Sequence, residues 1–368
     1  MSVYRQGWRL LPEWQLPAGW QPGTRVSVLI AARNEAANIT DCLRSIAGGS
    51  YPAALLEILV IDDFSEDPTA ALVRQEAERS PCSIRLLSLK DLSPDQNGLI
   101  SGKKAAIEAG VALAAGELIV TTDADCIVPP DWLRYLVSVQ EQQQPRIICA
   151  PVVFHREQNL LQRFQSLDLL GLMGIGGGGI RLGFQRMGNG ANLAYPKTVF
   201  AAVDGYAGNR QRASGDDMFL IQKVAAKWPD GVFFLKNPEA AVLTEAEPDL
   251  RSFFRQRLRW GAKNAALSEW PLRLVLLLVF LFCWSILLHG VFALAGAAAF
   301  SPRLFLVQLA VKAGFDFFFL REMCRYFHRT DLLRWFFPAF LLHTLYLPLI
   351  GTAGLLRKKY EWKGRAHE

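Results

Sequence analysis

"GELIVTTDADCIVP", residues 116–129, is the stretch on which the fold turns. Leu118, Ile119 and Val120 form a short apolar run, with Gly116 before it and Pro129 and Pro130 after, the pattern of a buried strand. At its mouth stand two acids one residue apart, Asp123 and Asp125. Such carboxylates repel each other, and protein groups alone satisfy them poorly. Read in isolation, a DxD is a loop with two solvated aspartates. A divalent cation reverses the cost, because hard oxygen ligands are what Mg²⁺ or Mn²⁺ selects. The rest of the chain decides between the two readings.

Working outward, strands and helices alternate. "RVSVLIAAR" (residues 25–33) reads as a buried strand, and "EAANITDCLRSIAG" has helical spacing at Ile39, Leu43 and Ile46. "LEILVIDD" is the next strand, "DPTAALVRQEAER" the next helix, and "SIRLLSL" a third strand. "GKKAAIEAGVALAAG" is an Ala-rich helix ending at Gly116. This alternation predicts βαβ units and a mostly parallel sheet. Ligands of such sheets bind beyond the carboxyl ends of the strands. Asp62 and Asp63 lie at one such end, and Asp123 and Asp125 at another, so four acids share an edge. A dinucleotide-binding domain requires GxGxxG after the first strand, where this chain reads "AARNEAAN", so NAD is disfavoured. A phosphatase with a nucleophilic DxDx(T/V) motif is disfavoured too, since "DADCI" ends in Ile127 and follows three strands.

Of the 368 residues, 51% are hydrophobic and 20% charged, averages that hide a change along the chain. Up to about Glu269 the composition is that of a soluble α/β protein; from Pro271 it turns lipid-like. Leu272 to Phe300 can span a bilayer, which needs about 20 apolar residues. A second candidate, Leu304 to Leu320, contains Lys312 and Asp316, four residues apart and able to neutralise each other on one helix face. A third, Leu332 to Leu356, carries Pro338 and Pro348 and reads as kinked or re-entrant. The start, "MSVYRQGWRLLPEW", has no apolar signal core. Arg255, Arg257, Arg259, Lys263 and Arg273 cluster before the first span. Arg321, Arg325, Arg329 and Arg334 lie between the later ones, and the tail "RKKYEWKGR" is basic. The positive-inside rule then places the soluble part and these clusters in the cytoplasm, at the inner face of the cell membrane. Two spans with a re-entrant third element satisfy that rule. Attraction to anionic headgroups accounts for most of the net charge of +6, so no nucleic-acid partner is expected. The six cysteines form no CxxC pair and the five histidines no HExxH pattern, which speaks against zinc.

The motifs in order resemble the GT-A domain of family 2 glycosyltransferases. They are "VSVLIAARNEAANITDCLRSI", "VIDDFSED", "GKKAAIEAG", "TTDADCIVP", "GNGANLAYPKTVFAAVDGY", "SGDDMFL" and "RQRLRW", followed by apolar helices. The resemblance implies a Rossmann-like α/β domain over 26–264, after an extension 1–25. A membrane region of two to three spans, 265–356, and a basic tail, 357–368, follow. It further implies a donor site of Arg33, Glu35, Asp62, Asp63, Lys103 and Asp123, with Asp123 and Asp125 holding Mg²⁺ or Mn²⁺ on the donor diphosphate. Asp217 is implied as general base with Asp216 supporting it, and Gln256, Arg259 and Trp260 serve acceptor and diphosphate. Lys104 reads as solvated. At Glu108 the family often has Asn, which puts a ligand contact there in doubt. "GIGGGGIRLGFQR" (residues 174–186) reads as a mobile loop or a linker. The implied activity is metal-dependent, inverting transfer from a UDP-linked sugar to a lipid-linked or saccharide acceptor at the cytoplasmic face. A processive polysaccharide synthase is the enzyme rival. A non-catalytic sugar-nucleotide-binding membrane protein is the rival of another class.

Overall fold

The apolar runs pair side by side as expected. The computed structural model describes residues 1–92, 102–209, 215–264, 270–295, 301–356, 360–362 and 365–367. Seven strands form one sheet: β1 (Val26–Ala32), β2 (Leu56–Asp62), β3 (Ser83–Ser88), β4 (Leu118–Asp123), β5 (Ile147–Cys149), β6 (Leu193–Pro196) and β7 (Val232–Phe234). Their order is β3-β2-β1-β4-β6-β5-β7. β6 runs antiparallel to β4 and β5, and every other pairing is parallel. The central strands are continuous apolar runs because both faces of the sheet are covered. Val28, Leu29, Ile30, Ile58, Leu59, Ile119 and Val120 have no solvent exposure. The register then fixes the acids. Ala32 pairs with Asp62 and Ala31 with Asp123, so β2 and β4 deliver their terminal carboxylates to the same edge, one on each side of β1.

The chain packs as two units. One is Leu10–Val153 with Gly179–Glu245, and it holds the sheet. The other is Met1–Arg9, Phe154–Gly178 and Ala246–Glu368. Its helices are Ser2–Leu10, Leu160–Leu182, Leu250–Asn264, Trp270–Leu294, Pro302–Tyr326 and Phe336–Leu356, the first two continuing past the unit's limits.

The glycine-dense stretch expected as a loop or linker is instead helical as far as Leu182. Glycine is a poor helix former, so local propensity argues for a loop. Packing overrides it. A Cβ on Gly178 would collide with the backbone carbonyl of Tyr4, and one on Gly174 with Met323 and Phe319. Bare backbone therefore lets neighbouring helices approach closely, and burial gained there outweighs propensity.

Two helices, Arg273–Leu294 and Thr330–Ala353, are long and apolar enough to cross a membrane by length and composition. The segment with two prolines is helical from Phe336 to Leu356, with Pro348 inside it. Lys312 and Asp316 meet as their spacing predicts, Nζ to Oδ2 at 2.6 Å, and Lys312 Nζ also lies 3.1 Å from His343 Nδ1.

Candidate active site at the carboxyl edge of the sheet

The loops after β1 and β2 brace each other. Asn34 and Phe64, each at positive φ (54° and 58°), turn the chain sharply out of the two strands. Ser65 Oγ accepts from Asn34 N, Asn34 Oδ1 from Glu66 N, and Thr69 Oγ1 from Glu35 N, at 2.8 to 3.0 Å. Asp67 accepts from Ala36 N and Thr69 N, both at 3.0 Å, tying the first loop to the start of the helix Thr69–Arg79. Local bracing thus uses Ser65, Asp67 and Thr69. Among the described residues, the Asp62 carboxylate accepts from Ser65 N at a long 3.4 Å, while Asp63 is 2% exposed, its own N–H donating to Ala32 O at 2.8 Å. Arg33 and Glu35 follow directly on β1, both half-buried at the same edge.

Lys103 opens the helix Lys103–Leu113 and reaches across the edge. Its Nζ lies 2.5 Å from Asp123 Oδ1 and 3.4 Å from Asp216 Oδ2. Burial opposes the charge of this ammonium, but Asp123 and Asp216 outweigh it and hold the pKa above the ordinary lysine value. Asp216 and Asp217 are the first two residues of the helix Asp216–Lys227. Carboxylates there face the positive end of the helix dipole and unpaired backbone N–H groups. Asp217 Oδ1 accepts from Met218 N at 2.7 Å and Oδ2 from Gly190 N at 3.3 Å. The helix begins after Gly215, which is left-handed at φ 87°; Ser214 lies outside the described residues.

Gly190 is where these groups converge. A Cβ there would lie 3.0 Å from Asp216 Oδ2, 3.1 Å from Lys103 Nζ and 3.6 Å from Asp217 Cβ. Thr121 Oγ1 donates to Gly190 O at 2.8 Å and pins the turn to β4. Neighbouring Asn192 is scaffold: fully buried, it donates to Pro151 O and Ala240 O and accepts from Trp132 Nε1. The glycine in "GNGAN" was quotable from the sequence, but its reason, contact with three charged side chains, was not.

Asp125 keeps an exposed edge in otherwise crowded surroundings. That crowding, followed by the charges of Asp123 and Glu35, pushes its carboxyl up to about 6. Burial is the larger cause, and the charge of Asp123 adds to it. A cation fits this donor set. The atoms are hard carboxylate oxygens, and a Mg²⁺-like ion commonly takes one or two carboxylates and completes its shell with water and substrate phosphate. Among the described residues no cluster of three or more His, Cys, Asp or Glu side chains is arranged to hold a metal. The thiols of Cys42 and Cys126 are pushed up by burial and then by Asp125 and Asp123, so they remain protonated packing groups.

A family model described as "Glycosyl transferase family 2" matches residues 27–214, just over half of the chain. The chain belongs to glycosyl transferase family 2. Probable glycosyltransferase YdaM of Bacillus subtilis is 28% identical over 261 residues, covering 70% of this chain and 58% of the relative. Beta-monoglucosyldiacylglycerol synthase of Synechocystis is 31% identical over 257 residues, covering 68% and 50%. The family 2 chain thus spans about half the length of the curated relatives it matches. Among solved structures, mannosyltransferase PcManGT from Pyrobaculum calidifontis, in complex with GDP-Man and Mn²⁺, superposes with a TM-score of 0.59 at 21% identity over 94% of each chain. That likeness is one of fold, the GT-A fold.

One expectation around this family 2 site changes. Lys104 is 4% exposed, not solvated. Its Nζ donates to Asn209 O at 2.8 Å and stands 4.8 Å from the Phe219 ring centroid, so its charge is met inside. Glu108, the departure from the family pattern, accepts from Tyr206 N at 3.2 Å.

Gln256, Arg259 and Trp260 belong to the other packing unit, on the helix Leu250–Asn264. Gln256 Nε2 donates to Glu247 Oε1 at 3.0 Å. Between these residues Arg257, only 2% exposed, is engaged in the interior. Nη1 lies 2.5 Å from Asp168 Oδ2, and the guanidinium sits 4.4 Å from the Trp260 ring centroid. The alternative that the basic run is merely headgroup-binding fails for Arg257, though it suits exposed Arg255. Asp168, an acid within the apolar "SLDLLGL", was the available signal for a buried partner.

Proposed function

We propose that this chain is a membrane-anchored, metal-dependent, inverting glycosyltransferase. It transfers sugar from a nucleotide donor, UDP-linked, to a lipid-linked or saccharide acceptor at the cytoplasmic face. The observation that carries the reading is the Asp123–Lys103–Asp216 chain with Asp217 beside it on Gly190. One edge thereby combines donor-side charge with a rigidly held carboxylate. Asp63, Asp62, Arg33 and Glu35 would bind the nucleoside, and Asp123 and Asp125 would hold Mg²⁺ or Mn²⁺. When bound, that ion neutralises charge developing on the departing nucleoside diphosphate. Lys103 orients the donor-side carboxylates, and Asp217 takes the proton from the attacking acceptor hydroxyl. Asp216, held by Lys103, keeps the start of that helix in place.

Support for a lipid acceptor comes from the apolar helices and from relatives named as glucosyldiacylglycerol synthases. The test is release of nucleoside diphosphate over a panel of UDP- and GDP-linked sugars, with membrane lipids as acceptors. Release with UDP-sugars and a single transfer to lipid is expected. Release only with GDP-sugars would overturn the donor assignment, and no release with any donor would leave a non-catalytic binder. A polymeric product would mean a processive synthase.

Trp260 would form the platform for the acceptor sugar, with Arg257 stacked against its ring. Trp260→Ala is expected to raise the acceptor KM about tenfold with donor affinity unchanged, since the ring serves the acceptor side alone. An equal loss of donor affinity would make Trp260 a packing residue.

A further inference from the structure

We propose that the cleft between the helix Ser2–Leu10 and the last two turns of the helix Pro302–Tyr326 binds the headgroup phosphate of an anionic membrane lipid. This site stands apart from the catalytic reading. The cleft encloses about 140 Å³ and is lined by Arg5, Arg9, Phe318, Arg321, Glu322 and Arg325. Two sequence spacings build it. Arg5 and Arg9 are four residues apart on the first helix, while Phe318, Arg321, Glu322 and Arg325 follow the i, i+3, i+4, i+7 spacing of a single face on the second. Each helix therefore carries like charges at i,i+4, which by itself disfavours the helix.

A single carboxylate lines the cleft beside these four cations, and it pairs with two of them. Glu322 accepts from Arg5 Nε at 2.6 Å, and from Arg9 Nε and Nη2, each at 2.8 Å. Arg321 and Arg325 make no ion pair among the described residues. The cleft thus holds three positive charges in excess, on side chains whose planar forks match phosphate oxygens two at a time. Glu322 draws both arginines of the first helix toward the second, so the forks are gathered before any ligand arrives.

The flank of the cleft says which phosphate. Phe318, in its lining, is 52% exposed, and Phe315, Val311 and Val307 continue the same helix face at 53%, 47% and 57% exposure. On the first helix Val3 is 56% exposed. Inorganic phosphate has no use for an apolar track leading out of its site. A lipid does, because its acyl chains lie along that track while the headgroup meets the arginines.

The test uses the full chain in a non-ionic detergent and follows the thermal midpoint during titration with dihexanoyl phosphatidic acid. Dihexanoyl phosphatidylcholine and inorganic phosphate are titrated in parallel. Phosphatidic acid is expected to bind at least tenfold more tightly than either. The double variant Arg321→Gln, Arg325→Gln should bind it at least tenfold more weakly than the parent. The double variant Arg74→Gln, Arg79→Gln, which removes the same charge from an exposed helix elsewhere, should bind like the parent. Should the first double variant not fold, the single change Arg325→Gln at an exposed position should still weaken binding about threefold. Equal binding by the parent and the cleft variants would overturn the site. Inorganic phosphate binding as tightly as phosphatidic acid would overturn the lipid assignment, as would equal binding of phosphatidylcholine.

Discussion

Asp217→Asn is expected to bind donor and metal within a few-fold of the parent and to lose at least about a hundredfold in turnover. In a single displacement at the anomeric carbon, the acceptor hydroxyl attacks opposite the leaving diphosphate and must shed its proton as it does so. A carboxylate within hydrogen-bond reach contributes on the order of 10²- to 10⁴-fold as a general base. Asparagine keeps the size, and its carbonyl oxygen can still accept from Gly190 N or Met218 N, so the helix start is preserved. What it cannot do is take the proton. Single displacement also inverts configuration, so an α-linked donor should yield a β-glycoside. Retained configuration, or full activity in the Asn variant, would remove Asp217 from the chemistry.

The second large effect is expected at Asp125. Turnover should vanish in excess chelator and return on adding Mn²⁺ or Mg²⁺. Asp125→Ala should weaken donor and metal binding together, each by about tenfold or more, because the ion joins them. A further consequence separates this reading from a structural role. The Asp125 carboxyl is pushed up to about 6 by crowding, Asp123 and Glu35, so its ionised form is disfavoured in the folded chain. A raised acid pKa lowers stability once pH exceeds the unfolded value, and the penalty is fully present above the folded one. Removing that carboxylate should therefore leave the metal-free protein at least as heat-stable as the parent at pH 7. A marked fall in the thermal midpoint, or turnover persisting in chelator, would defeat the assignment.

Much of this family 2 chain was decided by local pattern. The strands are legible because strands covered on both faces must be apolar throughout, and β1, β2 and β4 are. Acids at the ends of β2 and β4 are legible as an edge because parallel register carries Asp62 and Asp123 to the same side. The Lys312–Asp316 pair was readable for the same reason: four residues make one helical turn.

What the sequence could not show was decided between segments far apart in the chain. Lys103 came from the resemblance as a donor contact; that it links Asp123 to Asp216 depends on where two helices start relative to β4. Gly190 matters because three charged side chains arrive around it, and the glycine run before Leu182 is helical because other helices press on it. Lys104 is buried and Lys103 faces the acids, although the two are neighbours, because successive helix positions point about 100° apart. Periodicity tells which side of an element is apolar. Which charge lies within a few ångströms of which other is set by packing, and at that range Coulomb energy, not local propensity, determines what a side chain can do.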